Sequence, residues 1–330
     1  MNSRLWRFIV ALVFGLLLTP LASEAQQPAK IPRIGFLAPS PSPTPAAPHP
    51  GLQAFRQGLS GLGYVEGRDF IIEARFAEGR VERLPELAAE LVRLNVDVIA
   101  LLGAVTARAA MKATNNIPIV FVIVVDPVTD NVVASMERPG GNVTGLTSFA
   151  PRQPRKQLEL FKEALPEIKR VAIFGDRGVS DALLKANEEQ ARALGLQPLG
   201  YKLAGPTPDI EGAFAVAKKE GTEAVLLLEE PIVFINRKKI AQVAASNRMP
   251  TMVPGDWADV GGLIAYGTGL LEGMGRMSVY VDKILKGAKP GDLPVEALTR
   301  YRLTINLKTA REIGVAIPPE VLKRADKVIQ

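Results

Sequence analysis

No cysteine occurs in this chain of 330 residues, which excludes disulfides, cysteine nucleophiles and thiolate metal sites. It also excludes the usual lipid anchor of an exported bacterial lipoprotein, which is built on a cysteine at the cleavage point. A single histidine, His49, stands between Pro48 and Pro50. One imidazole cannot build a histidine metal site, and the sequence offers no partner to orient it as a catalytic base. There is no G-x-S-x-G elbow, no H-E-x-x-H helix and no G-x-x-x-x-G-K-[ST] phosphate loop. The glycine-rich pieces Gly58–Gly67 and Gly261-Gly262 lack G-x-G-x-x-G spacing between a strand and a helix. These absences point away from an enzyme and imply no metal and no cofactor.

Long apolar runs are also missing, with one short exception. Arg4 and Arg7 precede an apolar stretch from Phe8 to Leu18, broken only by Gly15, and then Thr19, Pro20 and Leu21-Ala-Ser-Glu-Ala25. That order of charge, apolar run and small residues is a secretory signal, with Ser23 and Ala25 before the cut. The run is about eleven residues, short of the roughly 20 that span a bilayer. Residues 1–25 are therefore expected to be removed, leaving a soluble, unlipidated chain in the periplasm. The formal net charge of +6 is scattered among acids. Without a basic stripe interleaved with aromatics, it reads as a solvated surface and not as a nucleic-acid site.

About 300 residues remain after cleavage, enough for two domains. Residues 26–32 read as a polar linker and Arg33–Leu37 as a strand; the Pro/Ser-rich segment Pro39–Pro50 cannot be regular structure. Leu52, Phe55, Leu59 and Leu62 recur at helical spacing, as do Leu84, Leu87, Ala88 and Leu91. Phe70–Phe76 alternates as a strand, while Val96–Leu102 and Ile117–Val125 are apolar runs of the kind buried on both faces. The pattern restarts after residue 150. Helical faces run through Leu158–Leu165, Leu183–Leu194, Ile210–Ala217 (with Asp209 as N-cap) and Ile240–Ala245. Strands are expected at Val171–Phe174, Gln197–Leu203, Ala224–Leu228 and Pro250–Val253, about 26 residues apart, the length of one strand and one helix with two short loops. The expectation is an α/β protein of two doubly wound, mainly parallel sheets. In such sheets ligands bind beyond the carboxyl ends of the strands, and facing lobes create a cleft.

The strand-end loops carry the candidate ligand contacts. Gly103, Ala104 and Thr106 follow a strand and open a helix, whose free amides favour a carboxylate; a simple helix cap uses the same groups. Asp126, Asp176, Glu229 and Glu230 end successive strands, and Asp256 and Asp259 flank Trp257. Acids at four strand ends suit a ligand ammonium, although each taken singly is also a cap or a solvated loop acid. Trp257 and Tyr266 are candidates for a stacking wall, with core packing as the alternative.

The sequence resembles the ABC-transporter substrate-binding family of tryptophan/tyrosine-type periplasmic binding proteins. The likeness rests on I-G-F-L at Ile34–Leu37, F-R-Q-G-L at Phe55–Leu59, L-G-Y-V-E-G-R at Leu62–Arg68 and L-P-E-L-A-A-E-L-V at Leu84–Val92. It continues through I-P-I-V-F at Ile117–Phe121, R-P-G-G-N-V-T-G at Arg138–Gly145 and G-G-L-I-A-Y-G at Gly261–Gly267. Y-V-D-K-I-L-K-G-A-K-P at Tyr280–Pro290 and I-N-L-K-T-A at Ile305–Ala310 complete it.

The resemblance implies a type I periplasmic binding protein-like receptor, closing on a small ligand and serving an ABC permease and its ATPase at the inner membrane. A monomer is expected, with Ser40 added to the ligand contacts. It implies an N-terminal lobe of residues 31–146 plus about 258–290, and a C-terminal lobe of 147–257 plus about 291–330. The lobe crossings would lie near Asn142–Thr147, Gly255–Gly261 and Pro290–Tyr301. Two departures stand out: Gly103-Ala104 where the family often has Gly-Thr, and Val124-Val125 where it often has glycine. Both are expected to remove polar or backbone access at the ligand site, leaving room for a more apolar carboxylate. The expected ligand is thus an amino acid or a related small carboxylate. The alternatives are a bilobal sensor for a membrane signalling protein and a two-lobed transferase. The export pattern and the missing phosphate loop count against the second.

Overall fold

Short β-branched runs separated by amphipathic helices bury both faces of a sheet at once, and a computed structural model of the chain shows this twice. The structure describes residues 30–46, 48–124, 126–147, 153–177, 179–204, 208–255 and 257–330; the expected signal segment lies outside them. Among the described residues no helix is long and apolar enough to cross a membrane.

The first half runs β1 (Arg33–Ala38), α1 (Pro50–Gly61), β2 (Ile71–Phe76), α2 (Leu84–Arg93), β3 (Val98–Leu102), α3 (Ala104–Ala113), β4 (Ile119–Val122) and β5 (Val143–Thr147). The second runs α4 (Gln153–Ala164), β6 (Arg170–Asp176), α5 (Asp181–Ala193), β7 (Gln197–Leu203), α6 (Ile210–Lys219), β8 (Ala224–Leu227), α7 (Pro231–Ile235), α8 (Arg237–Ser246), β9 (Thr251–Val253) and β10 (Ile264–Gly267). Then come α9 (Leu270–Leu285), β11 (Glu296–Ala297), β12 (Arg302–Asn306), α10 (Leu307–Ile313), α11 (Pro319–Leu322) and β13 (Lys327–Ile329).

The first sheet has the order β11-β5-β4-β3-β1-β2 and the second β13-β12-β10-β9-β8-β6-β7. All pairings are parallel except β10 with β12. These are two mainly parallel α/β lobes, within one compact unit of Pro32–Gln330. Ile34, Phe36 and Phe55 pack with Met274, Met277 and Val281 of α9 on one face of the first sheet. Leu84, Leu91, Ala107 and Phe121 fill the other face. In the second lobe Ile173 and Phe174, adjacent on β6, enter opposite cores, as the strand alternation requires.

The segment boundaries differ from the expected ones. β10 lies in the second sheet, between β9 and β12, and β11 in the first. The chain therefore returns to the first lobe between Gly267 and Leu270, not near Gly255–Gly261. Gly261 and Gly262 instead turn the chain from a 3-10 turn at Trp257–Val260 into β10. The last crossing, between Ala297 and Arg302, falls at the end of the expected Pro290–Tyr301 segment.

Candidate functional site

The carboxyl ends of both sheets carry the residues that the loops single out. β1 leads to Ser40, whose Oγ lies 2.9 Å from His49 Nε2. His49 is the N-cap of α1: its Nδ1 accepts the Leu52 amide at 3.0 Å. Since Nδ1 accepts, the neutral ring carries its proton on Nε2 and donates it to Ser40. Imidazole is thus a cap and a positioner for Ser40 and cannot act as its base. The ring packs against Phe36 and Phe76 at centroid distances of 5.8 and 5.4 Å. Burial, with the Arg237 charge in support, holds its pKa below the ordinary histidine value.

β3 leads to Gly103, which caps α3 at φ 81° and provides no side-chain bond. Such a positive φ suits glycine. Ala104 and Thr106 follow, both buried, and Thr106 Oγ1 has no hydrogen-bond partner among the described residues. One turn after Ala104, Arg108 lies 3.8 Å from the Asp130 carboxylate.

Asp126 caps the turn after β4, accepting the Thr129 amide at 3.0 Å. Asp176, at the end of β6, accepts the buried Ile232 amide at 3.0 Å. Glu230 precedes α7 and is almost wholly enclosed. Burial and then the neighbouring Asp176, Asp130 and Glu229 raise its pKa well above the usual carboxylate range. Asp130 is pushed up to about 6, chiefly by burial; Arg108 pulls it back, while Asp126 and Asp176 add to the rise. Acids from both lobes therefore converge here, with Arg108 as the local cation.

Beside this cluster lies a cavity of about 200 Å³ lined by Pro50, Glu229, Phe234, Arg237, Gly255, Trp257, Val260, Thr268 and Leu271. Pro50 begins α1 and Leu271 belongs to α9, so first-lobe helices close one side; second-lobe residues form most of the rest. Trp257 packs on Phe234 at 5.6 Å. Tyr266 is elsewhere: it stacks on Tyr301 at 5.6 Å and 18° and packs against the opposite core of the second sheet. Asp256 lies outside the described residues, and Asp259 pairs with Lys327 at 2.8 Å.

Phe234, Arg237 and Thr268 were not legible as site residues from the sequence. A signal existed for the first two: three residues apart just after the Glu229-Glu230 pair, they face the same way on helical backbone. The two family departures also sit differently from expectation. Ala104 and Val124 are buried in the core between the first sheet and α2 and α3, so they fill packing space; Val125 lies outside the described residues.

Two mainly parallel-sheet lobes that share one cavity define the bilobal fold of the periplasmic binding proteins. The profile of the ABC transporter substrate binding protein family matches residues 46–329, and the chain belongs to that family. It is the substrate-binding protein of an ABC transporter, a binding protein and not an enzyme. A tyrosine-binding protein of Clostridioides difficile is 25% identical over 275 residues, covering 81% of this chain and 78% of that protein. A conserved domain protein of Vibrio cholerae superposes with a TM-score of 0.81 at 28% identity, covering 91% of this chain and 100% of the other. The ABC domain of Streptococcus pneumoniae in complex with L-Trp superposes at 0.80 with 23% identity, covering 90% and 99% of the two chains; that likeness shows the fold.

Proposed function

We propose that this chain is the periplasmic receptor of an importer and binds an amino acid or a related small carboxylate, with an apolar or aromatic body, between its lobes. The carrying observation is the cavity walled by Trp257 and Phe234, which residues of both lobes line and which holds one cation, Arg237, and one acid, Glu229. A zwitterion with a ring meets each of those groups. Support comes from the buried acids at the ends of β6 and β8, from the start of α3 with its Thr106 hydroxyl, unpartnered among the described residues, and from the relative named for tyrosine binding. The ligand passes to a permease with its ATPase at the inner membrane. The receptor acts as a monomer after loss of residues 1–25, so intact mass of the exported protein should place its N-terminus near Gln26.

The test is a ligand-stripped sample, unfolded and refolded, titrated with the amino acids and with aryl carboxylates. Ligand at about 100 times its dissociation constant stabilises the fold by roughly 2.7 kcal/mol, which raises Tm by several degrees. A sample that ignores all of these and responds to sugars or metal ions refutes the ligand class. Small molecules released from freshly purified protein and identified by mass spectrometry give an independent answer.

A further inference from the structure

Arg237 is the cation of the cavity lining. It begins α8, is half-buried, and its guanidinium lies 4.1 Å above the Phe234 ring. Nη1 donates to the Phe234 carbonyl at 2.9 Å. A guanidinium has five N–H donors, and among the described residues no carboxylate is paired with this one. Burial lowers its pKa, as desolvation does to any cation.

Thr268 supplies an independent sign. It is only 2% exposed, it lines the same cavity, and its Oγ1 has no hydrogen-bond partner among the described residues. Buried hydroxyls are ordinarily bonded, so an orphan facing a cavity marks a missing partner. Directly after it begins α9, a helix of 16 residues whose N-cap, Gly269, makes no side-chain bond. Thr268 and Leu271 both line the cavity, so the positive end of α9 borders it.

We propose that Arg237, the Thr268 hydroxyl and the first turn of α9 form the anchor for the ligand's carboxylate, with its apolar body against Trp257. This assignment rests on the proposed function and refines it. It moves the acid end away from the start of α3 to the junction between α8 and α9, so that groups of both lobes hold one functional group. The ligand class is a small apolar or aromatic acid, including an α-amino acid whose ammonium turns toward Glu229. At about 200 Å³ the cavity lies just below the ~300–1,000 Å³ usual for small-molecule sites, which fits a ligand of that size.

The experiment uses the exported chain from Gln26, in which Trp257 is the sole tryptophan because Trp6 leaves with residues 1–25, so that its emission reports on the cavity itself. The ligand-stripped protein is titrated with L-tyrosine, with 4-hydroxyphenylacetate (acid, no amine) and with tyramine (amine, no acid). Both acids should shift Trp257 emission and bind about tenfold or more tighter than tyramine. Arg237→Gln and Thr268→Val should each weaken the acids by about tenfold without affecting tyramine, and Arg237→Lys should recover part of the loss. Circular dichroism melting checks each fold; Thr268→Val, nearly isosteric, decides the matter if Arg237→Gln does not fold. Acids that bind equally well to wild type and variants, or no better than tyramine, overturn the anchor while leaving the receptor reading intact. A wild-type protein that binds none of the acids or other amino acids overturns both.

Discussion

His49 is the only histidine, and its geometry predicts a pH dependence of known sign. Nδ1 accepts the Leu52 amide at 3.0 Å. Protonation would set an N–H against an N–H, costing the helix cap, about 1 kcal/mol, and placing a cation near Arg237 between two phenylalanine rings. The folded pKa therefore lies below that of the unfolded chain, which is near 6.5. Below about pH 6.5 the unfolded chain then binds more protons than the native one. The contribution of His49 is complete above that pH and is lost as pH falls, by at most about 1.4 kcal/mol per unit. Asp130, raised to about 6, acts with the opposite sign: its contribution is lost as pH rises from about 4 through 6. A single-protein profile mixes the two, so the difference between wild type and His49→Asn is the informative quantity. Asparagine also caps helices but does not titrate. Urea denaturation between pH 5 and 7.5 should show the wild type losing stability relative to the variant as pH falls. The single histidine ring resonance should titrate below 6.5. A ring that titrates at or above that value, or two parallel profiles, refutes the cap geometry.

Two other substitutions test the scaffold and the acid cluster. A Cβ on Gly58 would stand 2.4 Å from the Gly275 carbonyl and 2.5 Å from Ser278 Oγ, where α1 crosses α9. Gly58→Ala should destabilise by on the order of 1–2 kcal/mol in urea, overpacking outweighing the gain of about 1 kcal/mol in helix propensity; a more stable variant would show that the helices are not in close contact there. Glu230→Gln should retain the fold. Because the raised pKa makes Glu230 stabilising only at low pH, wild-type Tm should fall relative to the variant as pH rises from 4 to 8, and equal slopes would count against a buried carboxyl.

Local chemistry made most of the two sheets legible. The runs Val98–Leu102 and Ala224–Leu227 are wholly buried strands, and Asp209 caps α6 by accepting the Gly212 amide at 2.8 Å. The residues after Val253 were not resolved into elements from the sequence. α9 bears a helical stripe of Met274, Met277, Val281 and Ile284 on its buried side, but nothing local says that this helix returns to the first lobe. β11 is two residues long, too short for any periodicity, and the antiparallel pairing of β10 with β12 joins segments far apart in sequence. At the site, acids at strand ends are visible because strand ends are visible. Tyr266 was misleading for the converse reason: its stacking partner Tyr301 is chosen by tertiary packing. The family glycines have separable explanations. Gly145 passes with no room for a Cβ beside Phe121, and Gly140 and Gly141 turn the chain at φ 71° and 59°; they serve packing and turning.

Where β4 ends, backbone strain and site meet. Ile123 has φ 56°, a left-handed conformation that is costly for a β-branched residue, and it is 5% exposed in the core against α1 and α9. The twist redirects the chain from the strand into the turn that carries Asp126 and Asp130. Side-chain burial must therefore hold a backbone that prefers another shape, which a paired comparison can measure. Ile119, on β4 itself, is fully buried without a positive φ. Ile119→Gly loses the side chain and gains backbone freedom; Ile123→Gly loses the same but also relieves strain of about 1–3 kcal/mol. Ile123→Gly should then cost less than Ile119→Gly by about that amount in urea denaturation, while ligand affinity weakens as the Asp126–Asp130 turn loses its fixed direction. Equal costs would mean that the left-handed turn at Ile123 stores no strain, and the acids would owe their placement to the loop alone.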